Sequence, residues 1–252
     1  MKLKKLFLDT ETTGTTPNSA IVQIAGIMEV GGVNREFDIS MRPHDGADIS
    51  PQALEIIGKS LEEINCYQSQ KDAAKQFEEI LSEFVDPFNK NDKFVLYGHN
   101  IQFDFTKLME WYNRIGNKYL GSFISFKFNF DTLQMMKNLQ LLEIIEFLPN
   151  NKLETCCKAF GIELDGAHDA LNDIRATKKL YEYLEYIMKT QFDETYNKIL
   201  FPGMFGRYTT QEEKFILETD DTLENVAKKL GRTPDAINAK AKRMGSDKFN
   251  KK

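Results

Sequence analysis

Two adjacent glycines, Gly31-Gly32, separate two stretches in which apolar and polar residues alternate. A two-residue glycine turn between such runs signals a hairpin, because both turn positions need positive φ angles that only glycine adopts cheaply. Residues 20–30 and 34–41 are therefore expected to pair, and Lys5–Asp9 reads as a strand before them. Three antiparallel strands then open the fold. Beyond them, helices and strands alternate. Ser50-Pro51 suits the cap and first position of a helix. Residues 73–84 place Ala73, Phe77, Ile80, Leu81 and Phe84 on one helical face. Phe94–Tyr97 reads as a short buried strand ended by Gly98-His99-Asn100, with a helix over 103–112. Phe126, Phe128 and Phe130 alternate with Lys127 and Asn129, which predicts a strand with one aromatic face; core packing is its expected use, with base stacking the alternative. Asp131-Thr132 caps another helix, and helices follow over 153–160 and 168–184. Strands followed by alternating helices and strands give an α/β layer fold.

Of the 252 residues, 41% are apolar and 28% charged, which excludes disorder, collagen and a coiled-coil rod. The basic start Met1-Lys2-Leu3-Lys4-Lys5 is followed by an apolar run that stops at Leu8, shorter than the roughly 7–15 residues of an export signal. The longest apolar run is Phe94–Tyr97, so no membrane association is expected. Three cysteines without a Cys-x-x-Cys pattern predict a reduced, intracellular, cytoplasmic setting with no zinc knuckle. Pro202-Gly203 and Gly206 break any helix near residues 191–207, the expected linker between a domain over 1–190 and a small one over 208–252. Charge divides similarly. Residues 207–252 hold 11 basic and 8 acidic side chains, net +3, against 22 and 30, net −8, in residues 1–206. A basic segment on an acidic body suggests phosphate contact in one part and concentrated carboxylates in the other.

Asp9 and Glu11 stand where the first strand ends, and a period of two puts both side chains on one face. Alone, such a pair is common among 38 acids in 252 residues. Asp104, within His99-Asn100-x-x-Phe103-Asp104, opens a helix, and Asp173 lies five residues after His168. Four hard oxygen donors from three segments suit Mg²⁺ or Mn²⁺ rather than zinc. Mutual repulsion in a buried cluster of this kind requires bound metal or partial protonation.

Asp9-Thr10-Glu11-Thr12-Thr13-Gly14, His99-Asn100-x-x-Phe103-Asp104 and His168-x4-Asp173 resemble the three motifs of the DnaQ-like, DEDDh-type 3′–5′ exonucleases, in the family's order and over about residues 1–190. The resemblance implies an RNase H-like mixed sheet flanked by helices. It implies that Asp9, Glu11, Asp104 and Asp173 hold two Mg²⁺ or Mn²⁺ ions and that His168 is the general base. Two metals about 3.5–4 Å apart neutralise an anionic phosphodiester and activate water, and a histidine takes a proton readily near neutral pH. The resemblance further implies that the Thr12-Thr13-Gly14 turn brings donors to the terminal nucleotide, with Gly14 at a positive φ, and that His99, Asn100 and Phe103 line the same pocket. A strand-to-helix turn and a core aromatic are the plain structural alternatives for Asn100 and Phe103.

After the linker, residues 210–219, 222–230 and 234–244 read as three short helices, with Thr233-Pro234 starting the last. Tyr208-x4-Glu213, Leu223-x-x-Val226-Ala227-x-x-Leu230 and Ile237-x-Ala239-Lys240-Ala241-x-Arg243 resemble a Myb/SANT-like helix-turn-helix. Phe215, Leu223, Val226, Ala227, Leu230, Ile237 and Ala241 would fill its core. Arg232, Lys240, Lys242 and Arg243 would flank the third helix and meet duplex DNA, chiefly its phosphates; a protein-docking bundle is the alternative. The expected activity is metal-dependent 3′–5′ hydrolysis of single-stranded or unpaired DNA, with a polymerase or other replication protein as a partner left open. RNA 3′-end trimming on the same fold, or a non-catalytic DNA-binding scaffold, are the competing readings.

Overall fold

The computed structural model describes residues 3–164, 169–191, 208, 210–230 and 232–249. The chain forms two compact units, Met1–Leu184 and Glu185–Lys252. In the first, β1 (Lys4–Thr12), β2 (Ile21–Val30) and β3 (Val33–Ser40) form an antiparallel meander. Gly31 and Gly32 join β2 to β3 at φ 63° and 91°, the double positive-φ turn that matches the twist of a hairpin. β4 (Phe94–Gly98) adds parallel to β1, and β5 (Ile124–Asp131) parallel to β4, so the mixed sheet runs β3-β2-β1-β4-β5.

Both faces of the sheet are covered. Leu6 and Leu8 point to one side, where Phe77 of α3 (Gln70–Ser82) and Trp111 of α4 (Ile101–Arg114) join Ile24, Met28 and Phe94 in the main core. Phe7 points to the other side and packs with Ile27, Tyr97 and two residues of α8 (Ala170–Gln191), Ile174 and Tyr181. The period of two along β1 thus separates two cores, and Phe7 is its side chain in the one that takes in α8. The remaining helices of this unit are α1 (Pro51–Ile57), α2 (Leu61–Asn65), α5 (Leu120–Phe123), α6 (Thr132–Leu141) and α7 (Leu153–Ala159). Ser50 caps α1 by accepting from the Ala53 amide, and Asp131 caps α6 by accepting from Leu133, as the sequence signals predict.

The aromatic strand departs from expectation. Phe94 pairs with Ile124, but Leu96 pairs with Asn129, so two residues of advance on β4 meet five on β5. Residues 125–128 therefore bulge out of register. Phe130 returns to the sheet and stacks on Tyr97 with centroids 5.2 Å apart. Phe126 and Phe128 are instead 51% and 68% exposed, so core packing holds for only one of the three rings.

In the second unit, α9 (Thr210–Glu218), α10 (Leu223–Leu230) and α11 (Pro234–Arg243) enclose a core of Ile216, Val226, Ala227, Ile237 and Ala241. Phe215, Leu223 and Leu230 pack at its edge, and Ile216, which the helical pattern did not select, lies at its centre. Thr233 caps α11 by accepting from Ala236. No helix among the described residues is long and apolar enough to cross a membrane.

Candidate metal centre

The site forms at the C-terminal end of β1. Alternation along this strand sends Asp9 and Glu11 to one face, while the buried Thr10 between them turns the other way. Asp173 arrives from the first turn of α8. That turn is held by Asp169, whose carboxylate accepts from the Asn172 amide at 3.1 Å and whose carbonyl accepts from the Asp173 amide at 2.9 Å. One carboxylate oxygen from each of Asp9, Glu11 and Asp173 lies within 4.8 Å of the others. Asp104, in the first turn of α4, is 4% exposed; its Oδ1 accepts from the Thr10 amide at 2.9 Å and from the Thr10 hydroxyl at 2.7 Å.

The electrostatics record the crowding. Burial, followed by the charges of Asp104, Glu11, Asp173 and Asp169, holds Asp9 well above the ordinary carboxylate range. Burial and then Asp173 push Glu11 up to about 8, against the opposing pull of Lys59. Burial raises Asp104 to about 7 despite its two bonds from Thr10. Carboxylates crowded this closely must share protons or receive a metal. The donor set is all carboxylate and fits a hard divalent cation rather than zinc.

The other predicted residues fare differently. His168 lies outside the described residues. The Thr12 hydroxyl donates to the Gly14 carbonyl at 2.8 Å, and the Thr13 hydroxyl donates to the Asp48 carbonyl and accepts from the Ala20 amide, so both brace the loop. Gly14 takes the expected positive φ, 157°, an angle that side-chain-bearing residues rarely adopt, and a Cβ there would also sit 2.8 Å from Ser19 Oγ. Both ring nitrogens of His99 are engaged, with the Thr132 hydroxyl at 2.9 Å and the Asn151 carbonyl at 2.8 Å, and burial holds its pKa below the usual histidine value. Asn100 is exposed in the left-handed region at φ 66°, its amide donating to Asp131. Phe103 is half-buried beneath the Lys107 ammonium, 5.8 Å from its ring.

In the second unit, Arg232 stacks 4.0 Å from the Tyr208 ring centre and faces Glu212 at 3.5 Å, and Lys240 pairs with Glu213. These two cations are spent inside the unit. Lys242 and Arg243 are exposed. Sequence reasoning missed Asp169 and Lys59. An aspartate just before an apolar helical run was a readable cap signal for Asp169. Lys59 is placed by tertiary folding alone: its ammonium donates to Gln23 Oε1 at 3.0 Å, and Gln23 sits opposite Glu11 in the β1–β2 register.

A family model described as Exonuclease (RNase_T) matches residues 6–181. The chain belongs to that exonuclease family. That family falls within the DnaQ-like superfamily, and the chain carries the mixed sheet of the RNase H-like fold. It is similar to the PolC-type DNA polymerase III of Oceanobacillus iheyensis, 24% identical over 230 residues, covering 89% of this chain and 15% of that protein. The corresponding polymerase of Pediococcus pentosaceus is 23% identical over 214 residues, covering 84% and 13%. The chain thus spans about 15% of the length of these curated relatives. Among solved structures, E. coli exonuclease I in complex with a dT13 oligonucleotide has TM-score 0.63 and 24% identity, covering 78% of this chain and 44% of that one. Cell-death related nuclease 4 has TM-score 0.59 and 13% identity, covering 73% and 64%. These likenesses establish the fold the exonuclease family shares with this chain.

Proposed function

We propose that this exonuclease removes nucleotides from the 3′ end of single-stranded or unpaired DNA, using two Mg²⁺ or Mn²⁺ ions held by Asp9, Glu11, Asp104 and Asp173. The observation that carries the reading is the convergence of Asp9, Glu11 and Asp173 oxygens within 4.8 Å, with the charge of buried Asp104 bearing on Asp9. Bound divalent ions supply charge neutralisation for the phosphodiester and a lower pKa for water. The chain's own residues do the rest. Asp9 and Glu11, fixed on a strand buried on both faces, would hold the ions that meet the scissile phosphate. Thr10 holds the Asp104 carboxylate in orientation through its amide and hydroxyl. His168, two residues before the start of α8, takes the proton of the attacking water. The braced Thr12-Thr13-Gly14 loop and the Asn100–Phe103 turn bound the pocket for the terminal nucleotide.

DNA is favoured over RNA because the sequence relatives are DNA polymerases and a structural neighbour binds a thymidine oligonucleotide. The same relatives support a replication protein as partner. The domain over 208–252, joined by a linker over 191–207, acts as a helix-turn-helix tether whose exposed Lys242 and Arg243 meet phosphates. The three free cysteines suit a reduced, cytoplasmic setting. Digestion of 3′-labelled and 5′-labelled DNA and RNA oligonucleotides, after chelation and with Mg²⁺ or Mn²⁺ added back, tests the reading. Early release of the 3′ label from DNA is expected. Release from the 5′ end first, preference for RNA, or metal binding without hydrolysis would each reject it.

A further inference from the structure

The bulge in β5 leaves two phenylalanine rings with no core to enter. Phe126 is braced edge-to-face against Phe105 with centroids 5.3 Å apart, and its ring also covers Gly121, where a Cβ would approach to 3.3 Å. Phe128 stands freer, at 68% exposure. Both rings border a hollow of about 510 Å³ whose wall includes Lys90, Lys93 and Lys127 and no carboxylate. The nearby Asp92 is turned to Lys4, with which it pairs. Lys90 and Lys127 are exposed, while Lys93 donates to the Gly121 carbonyl. An acid-free lysine hollow is an exception in a segment, residues 1–206, that carries net charge −8. It lies at the start of β1, seven residues (Lys4 to Glu11) from the carboxylates, or about 23 Å along the strand.

Exposed planar rings interleaved with ammonium groups are the chemistry that single-stranded nucleic acid meets: bases stack on rings whatever their sequence, and lysines neutralise the backbone. We propose that this hollow is an accessory site for single-stranded nucleic acid, with bases stacked on Phe126 and Phe128 and phosphates against Lys90 and Lys127. A strand long enough to occupy both the hollow and the carboxylate site binds the second at high effective concentration. The proposal concerns binding alone and stands whether or not the carboxylate site hydrolyses what it holds.

The test uses the full-length protein in chelator, so that hydrolysis plays no part. The chain's one tryptophan, Trp111, is fully buried, so a Phe128→Trp variant carries a local reporter. Titration with a thymidine oligonucleotide should quench the new indole to saturation, whatever the second unit binds. Phe126→Ala/Phe128→Ala should weaken binding of a long oligonucleotide, measured by anisotropy, by about five- to 150-fold per stacked base. Lys90→Ala/Lys127→Ala should flatten the log–log salt dependence by about 1.4. An indole that the oligonucleotide leaves unquenched overturns the proposal. So does unchanged affinity in both double variants, or displacement of the reporter signal by an acidic peptide but not by nucleic acid. Matching melting temperatures of the variants and wild type keep a folding defect apart from a binding defect.

Discussion

Replacing Glu11 with glutamine should stabilise the metal-free protein. The folded state raises the Glu11 pKa from 4.5 to about 8, burial being the first cause and Asp173 the second. A carboxyl whose folded pKa exceeds its unfolded value prefers to stay protonated in the fold. The penalty is therefore absent below the unfolded pKa, grows as pH rises from there, and is complete above the folded pKa. At about pH 7 the gap above the unfolded value is about 2.5 units at 1.36 kcal/mol each, an upper bound of about 3 kcal/mol. Glu11 is partly exposed, and solvent reduces this to about 1–3 kcal/mol. Glutamine keeps the shape and removes the charge, so at about 2–4 °C per kcal/mol the melting temperature should rise by several degrees. Thermal unfolding followed by circular dichroism in chelator, at about pH 5 and about pH 7.5, reads the effect. The gain should be clear at the higher pH and shrink at the lower. Saturating Mg²⁺ or Mn²⁺ should reverse the order, because the wild-type carboxylate gains a cation that the amide holds weakly. A glutamine variant that melts at or below wild type in chelator near pH 7.5 would refute the reasoning.

Three further outcomes rest on particular contacts. Thr10→Val removes the hydroxyl that donates to buried Asp104 at 2.7 Å, and should cost about 1–3 kcal/mol in chemical denaturation; a valine variant as stable as wild type would show that this bond contributes nothing. His168→Ala should slow turnover by about 10²–10⁴-fold and remove the limb of the pH–rate profile that belongs to the base; an unchanged profile would take His168 out of that role. A thiol reagent should label the native protein once, at exposed Cys66, because Cys156 and Cys157 are buried and burial pushes both thiols up to about 11; rapid labelling of all three would contradict the packing of α7.

The parts of the fold written in local chemistry were readable beforehand. The Gly31-Gly32 turn, the Ser50-Pro51 and Thr233-Pro234 helix starts and the Asp131 cap each depend on a few adjacent residues, and the structure bears them out. The Asp9 and Glu11 pair was readable because a strand has a period of two. The bulge that turns Phe126 and Phe128 outward was not, since register is decided by the neighbouring strand and Phe94 lies 30 residues from Ile124. Alternation gave the same pattern for a buried face and an exposed one. Arg232 and Lys240 looked like free cations for the same reason: Glu212 and Glu213, which neutralise them, sit on another helix. Lys59 and Asp169 reach the carboxylates only once α1 and α8 have docked against the sheet.

Calorimetric titration of chelator-stripped full-length protein with Mn²⁺, beside Asp9→Asn and Asp173→Asn variants, examines the metal centre without reference to any substrate. Saturable binding in wild type, lost or strongly weakened by either substitution, is the expected result. Identical isotherms for all three proteins would mean that the carboxylates gathered at the end of β1 hold no cation.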